Sequence, residues 1–153
     1  MTIESVKKHF VDEKLNLEVI EMDTSTATVE LAANALGVEP ARIAKTMALR
    51  LKERDILIMT KGDVRIDNRK FKDYFGQKAK FIGAEDLEEA TGHSVGGVCP
   101  FGLIKHLDIY LDKSLKVFDY VYPAGGGPNT CVKIDVDYLA KVTKGIWIDV
   151  CNE

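Results

Sequence analysis

Long apolar runs are missing from this 153-residue chain. No stretch of about eighteen consecutive apolar residues occurs, which excludes a membrane-spanning helix. The N-terminus (MTIESVKKHF) also lacks the charged-then-apolar layout of a secretory leader, so the expected location is the cytoplasm and no membrane partner is expected. Cysteine is scarce. Cys99, Cys131 and Cys151 are odd in number and widely spaced, which fits neither a disulfide framework nor a C-x-x-C zinc half-site. Reduced thiols and no bound metal or cofactor are the expectation. Repeats and low-complexity tracts are absent too. With 46% hydrophobic and 29% charged residues, the chain reads as one globular domain, 1–153, large enough for one core.

Basic charge is outnumbered at both ends and concentrated between them. Residues 1–40 hold three Lys/Arg against eight Asp/Glu, residues 41–80 twelve against five, and residues 81–153 six against eleven. The net charges are −5, +7 and −5. A basic middle in an acidic protein can steer a polyanion to one face, or can scatter over solvated strands and helices.

What is present is an alternation of short elements. Apolar spacing predicts a helix over 3–14 and a strand over Leu17–Met22, then a polar break at Thr24-Ser25-Thr26. A helix over 28–36 stops at Gly37, and Pro40 opens a further turn. Thr46–Leu51 and Ile56–Thr60 read as a hairpin, Asp67–Phe75 and Glu85–Ala90 as helices, with a short strand Lys80–Ile82 between them. Asp108–Leu111, Tyr120–Tyr122, Cys131–Ile134 and Ile146–Val150 are strand candidates, with a helix over Val136–Lys141. So many strands without a regular βαβ rhythm predict an α/β domain whose curved, mixed, largely antiparallel sheet is surrounded by helices.

The most informative stretch is Gly92 to Gly102, GHSVGGVCPFG. Glycine admits positive φ and puts no side chain between backbone and ligand, while Pro100 holds its own φ and pushes Cys99 into an extended conformation. Such a loop can present main-chain N–H groups. Upstream, Lys45 is a lone cation among Ile43, Ala44, Met47, Ala48 and Leu49, and downstream lies a second cluster, Gly125-Gly126-Gly127. A ligand site assembled from three places is the expectation. Taken singly, each part has a plainer reading: Lys45 as a strand lysine snorkelling to water, the late glycines as a turn, His93 as a hydrogen-bonding loop residue, and Met22, Met47, Phe101 and Trp147 as core or pocket lining.

In this order and spacing, Ala44-Lys45-Thr46, the loop Gly96-Gly97-Val98-Cys99-Pro100-Phe101-Gly102, the strand Tyr110-Leu111-Asp112 and the late glycine segment ending in Ile134 resemble the YbaK and prolyl-tRNA synthetase-associated family. The resemblance covers essentially the whole chain. It implies a stand-alone or trans-acting editing domain that hydrolyses the ester of mischarged aminoacyl-tRNA, most readily alanine or cysteine on the tRNA for proline, with possible docking on prolyl-tRNA synthetase. It implies no metal and no Ser-His-Asp constellation: water and the substrate's own ribose hydroxyl do the chemistry. Backbone groups of Gly96, Gly97 and Val98 with Lys45 would then be catalytic, and His93, Pro100, Phe101, Gly102, Gly125, Gly126 and Met47 would bind substrate. Lys45 can stabilise the oxyanion or anchor the terminal phosphate. The late segment AGGGPNT departs from relatives that carry a basic residue there. Two other classes stay open: a non-catalytic module binding tRNA or a synthetase, and a thiol hydrolase using Cys99 and His93. Nothing in the sequence marks a dimer interface.

Overall fold

The computed structural model describes residues 2–152. In chain order the elements are α1 (Thr2–Asp12), β1 (Ile20–Glu21), α2 (Val29–Leu36), β2 (Ala44–Arg50), β3 (Asp55–Lys61), β4 (Arg65–Ile66), α3 (Asn68–Phe75) and α4 (Ala84–Thr91). After the glycine loop follow β5 (Asp108–Asp112), β6 (Tyr120–Val121), β7 (Thr130–Cys131), β8 (Ile134–Asp135), α5 (Val136–Thr143), β9 (Ile146–Ile148) and β10 (Cys151–Asn152). Pro40 to Arg42 form a single tight turn of helix.

The organising unit is a four-stranded sheet in the order β2-β3-β5-β9. The expected hairpin is there, with β2 antiparallel to β3, whereas β3–β5 and β5–β9 are parallel. The antiparallel majority comes from three outlying two-stranded pairs, β1–β7, β4–β10 and β6–β8. Ile56, Leu57, Ile58 and Met59 are all fully buried, because β3 is covered on both faces. This explains why its sequence is continuously apolar rather than alternating. On one face Ala44, Ala48, Leu57, Met59, Ile109 and Leu111 pack with Val6 and Phe10 of α1, Ala90 of α4 and Leu139 of α5. On the other, Leu49, Ile56, Ile58, Tyr110 and Ile148 pack with Phe71 of α3.

Helix ends follow local chemistry. Thr28, Asp67 and Asp135 cap α2, α3 and α5 with their side-chain oxygens, and Gly37, Gly76 and Gly92 end α2, α3 and α4 in the left-handed conformation.

Several strands are shorter than expected. Leu17–Met22 forms a ladder only at Ile20–Glu21, and Lys80–Ile82 only a single bridge, Phe81 to Leu49. The chain at 131–134 divides between two partners, since Val132 donates its N–H to the Pro123 carbonyl as it passes from β1's side to β6. The last candidate breaks after Ile148, where the fully buried carboxylate of Asp112 takes the Val150 N–H at 2.8 Å in place of a ladder carbonyl.

Candidate functional site

β2 is an edge strand of the sheet. Its outer side is met only near its two ends, by Tyr122 bridging Ile43 and Phe81 bridging Leu49. Between these contacts the edge opens into a cleft of about 270 Å³. Ala44, Lys45, Thr46, Met47 and Ala48 form one wall, Val95, Gly96 and Val98 of the glycine loop another, and Thr26 to Val29, at the entry of α2, a third. Tyr122, Ala124 and Cys131 close one end, Phe81 and Ile82 the other.

Of the residues singled out in the sequence, Lys45, Met47, Gly96 and Val98 line this cleft. The Lys45 ammonium is half-buried and donates to the Val64 carbonyl at the turn between β3 and β4. Burial lowers its pKa, opposed first by the Cys151 thiol, while the nearby Arg65 guanidinium adds to the lowering and Asp63 and Glu30 oppose it. Gly97 stands behind the wall. Its N–H is taken by the Ser94 carbonyl at 3.0 Å. A Cβ built there would lie 2.7 Å from the carbonyl carbon and oxygen of Gly126. The two glycine clusters therefore pack against each other, and Gly97 is small to admit the second loop. Gly96 has φ +87° and abuts Ala27, a conformation that suits glycine. Among the described residues no hydrogen bond occupies the N–H of Gly96 or Val98.

The other candidates lie outside the cleft lining. Gly125 and Gly126 are buried beneath it, in a loop organised by Thr130, whose hydroxyl accepts from Gly125 and Gly127 N–H (3.2 and 2.9 Å) and donates to the Gly127 carbonyl (2.9 Å). His93 is 0% exposed, and its Nε2 donates to the Phe101 carbonyl at 2.7 Å. Phe101 packs edge-on against Phe10, at 5.0 Å between ring centroids. Gly102 presses on the backbone of Ser5 and donates its N–H to His9 Nδ1 at 3.2 Å. Pro100 faces a separate depression with His9 and Leu107. These four hold the loop to the core from below. Cys99 is also fully buried, and burial pushes its thiol up to about 12, while burial lowers the pKa of His93. A thiolate–imidazolium pair is disfavoured on both sides, which removes the basis for a thiol hydrolase.

Sequence reasoning missed Thr26, Ala27 and Thr28. They reach the cleft because segment 22–26 is bound to segment 128–130: Met22 N–H to Asn129 O at 2.8 Å, Thr26 N–H to Pro128 O at 2.7 Å, and the Thr26 hydroxyl to Thr130 O at 3.1 Å. The polar break Thr24-Ser25-Thr26 was the available signal. Among the described residues, no three His, Cys, Asp or Glu side chains converge to hold a metal ion.

Comparison with known proteins bears on this geometry. The family model of the aminoacyl-tRNA editing domain matches residues 23–142, from the cleft's third wall to the end of α5. The chain belongs to the aminoacyl-tRNA editing domain family. This editing domain is 42% identical over 155 residues to the uncharacterised protein YwhH of Bacillus subtilis (strain 168), covering 100% of this chain and 99% of that one. It is 33% identical over 101 residues to a proline–tRNA ligase of Bacillus licheniformis, matching 65% of this chain but only 18% of the ligase. A solved structure of a candidate trans-editing enzyme for prolyl tRNA synthetase superposes with a TM-score of 0.92 at 27% identity, covering 99% of this chain and 98% of that one. The editing domain is thus related to prolyl-tRNA synthetases and to their trans-editing counterparts.

Proposed function

We propose that this editing domain is a cytoplasmic trans-acting deacylase that hydrolyses the ester between a wrong amino acid and the terminal ribose of tRNA, with alanine or cysteine on the tRNA for proline as substrate. The observation that supports the reading is that Lys45, Gly96 and Val98 line one cleft, with no hydrogen bond taking the N–H of Gly96 or Val98 among the described residues; the Lys45 ammonium rests on the Val64 carbonyl. An aminoacyl ester is already activated, so modest transition-state help is enough.

Water adds to the ester carbonyl carbon, with the vicinal ribose hydroxyl of the substrate orienting it. The carbonyl oxygen becomes an oxyanion. Gly96 and Val98 N–H are the donors available for it, and preorganised main-chain donors of this kind are worth about 10²–10³ in rate each. Collapse breaks the bond to the ribose oxygen, which takes up a proton, and releases the free amino acid and the tRNA with its terminal hydroxyls restored. Lys45 supplies positive charge to the oxyanion or to the terminal phosphate. A cleft of about 270 Å³ suits a small acyl group, and each added methylene shifts discrimination by only about 1–3 kcal/mol.

The test is a panel of mischarged tRNAs incubated with wild-type protein and with Lys45→Ala. Hydrolysis of small acyl groups by the wild type, falling by about 10²-fold or more in the variant, supports the reading. Retained tRNA binding with no deacylation across the panel overturns it in favour of a binding module.

A further inference from the structure

The basic middle of the chain divides into spent and unspent charge. Arg50 is paired with Asp55 (2.9 Å), Arg54 with Asp108 (2.9 Å), Lys61 with Asp63 (3.5 Å), Lys70 with Asp149 (3.1 Å) and Arg42 with Asp119 (3.3 Å). Lys45, Arg65 and Arg69 enter no ion pair among the described residues, and neither do Lys52, Lys72, Lys78 and Lys80. These last four come from three separate segments, the β2–β3 turn, α3 and the strand-like stretch before α4, yet with Arg50 they line one depression whose lining holds no acidic side chain, the carboxylates near it (Asp55, Asp86 and Glu89) acting on Arg50. The depression is braced, since Gln77 accepts the Lys52 N–H at 2.8 Å and Arg50 N–H bonds to the Lys80 carbonyl at 2.8 Å.

Gathering like charges opposes folding unless an anion is to be met. Some of this charge offsets the carbonyl end of α3, which terminates at Gly76 in the same depression. That end carries only about half an elementary charge. Four unpaired ammoniums exceed it severalfold, so helix capping does not account for the cluster.

The position is informative. Lys80 is followed directly by Phe81 and Ile82, which form the end of the cleft, and Phe81 is 55% exposed at its rim. Depression and cleft thus share one short segment laid along β2. We propose that the Lys52, Lys72, Lys78 and Lys80 surface binds the phosphate backbone of the RNA whose acylated terminus occupies the cleft. The exposed ring of Phe81 lies between the two, where a terminal base can rest on it. This rests on the assignment of the cleft to an RNA-linked ester, and it names the face along which that RNA leaves.

The test measures binding rather than hydrolysis. The probe is tRNA for proline carrying alanine through a non-hydrolysable amide, titrated over a salt series against wild type, Lys52→Gln/Lys78→Gln, and a control with equal charge loss elsewhere, Lys105→Gln/Lys141→Gln. The first pair should weaken binding about tenfold and reduce the slope of log Kd against log salt by about two, with the control matching wild type. Lys72→Gln/Lys80→Gln should repeat the effect independently. Unchanged affinity and slope in both pairs, an equal loss in the control, or no RNA binding by wild type each overturn the surface. Failure of the cleft assignment looks different: wild type deacylates nothing, while binding still depends on these lysines.

Discussion

Cys99 and His93 show how a side chain's chemistry is decided by its surroundings. Cys99 Sγ lies 3.6 Å from both His93 Nε2 and the Phe101 carbonyl, a spacing that on paper resembles a nucleophile beside its base. Burial reverses that meaning, because it raises the thiol to about 12 and lowers the imidazole. Cys99→Ser is expected to keep deacylation within about twofold and to cost about 1 kcal/mol of stability, since the smaller hydroxyl can still bond the Phe101 carbonyl. Assays with and without thiol alkylation check it, and inactivation by either would restore a covalent route. Lys45 differs in kind: it is half-buried in a cleft wall, and its ammonium is held by the Val64 carbonyl.

The element that matters most is the glycine loop, whose residues serve two purposes. Gly96 and Val98 face the cleft, whereas Gly97 faces Gly126 and Gly127. A methyl group at 97 would meet main-chain atoms at 2.7–2.8 Å, and backbone cannot swing aside as a flexible side chain can. Gly97→Ala should therefore destabilise by about 1–3 kcal/mol, in the range of overpacked cores. It should also lower activity by displacing the adjacent Gly96 and Val98 donors. Urea unfolding and single-turnover deacylation measure the two effects, and a variant as stable and as active as wild type would show that the two loops do not support each other. β2 is the other half of the site. As an edge strand it would ordinarily invite pairing with another chain, and here Tyr122, Phe81 and the loop leave only a short opening.

Across the molecule, the glycine loop ties site to core through a neutral imidazole, and this couples stability to pH. His93 Nε2 donates to Phe101, its Nδ1 has no partner among the described residues, and burial holds its pKa below the ordinary 6.5. The unfolded chain takes up a proton near pH 6.5 where the folded chain does not, so stability is complete above that pH and declines as pH falls through it. Urea midpoints recorded from neutral to mildly acidic pH should show this loss, and His93→Gln should flatten the curve while keeping a donor for the Phe101 carbonyl. An equally steep decline in that variant would assign the effect to other groups.

Much of the architecture was legible in the chain itself. The hairpin of β2 and β3 and the glycine and proline punctuation of the helices follow from local periodicity and from φ restrictions, which are properties of short segments, whereas the expectation that Lys45 meets a glycyl loop comes from the order and spacing of family motifs. Tertiary structure alone decided what the glycines are for, because close approach is a fact about two segments: Gly97 and Gly126 are small for each other. It alone put His93 and Cys99 out of reach of water, brought Thr26 to Thr28 to the cleft through bonds spanning about a hundred residues, and sorted the lysines into paired and unpaired. Burial, like net local charge, is set by what the distant chain places beside a residue.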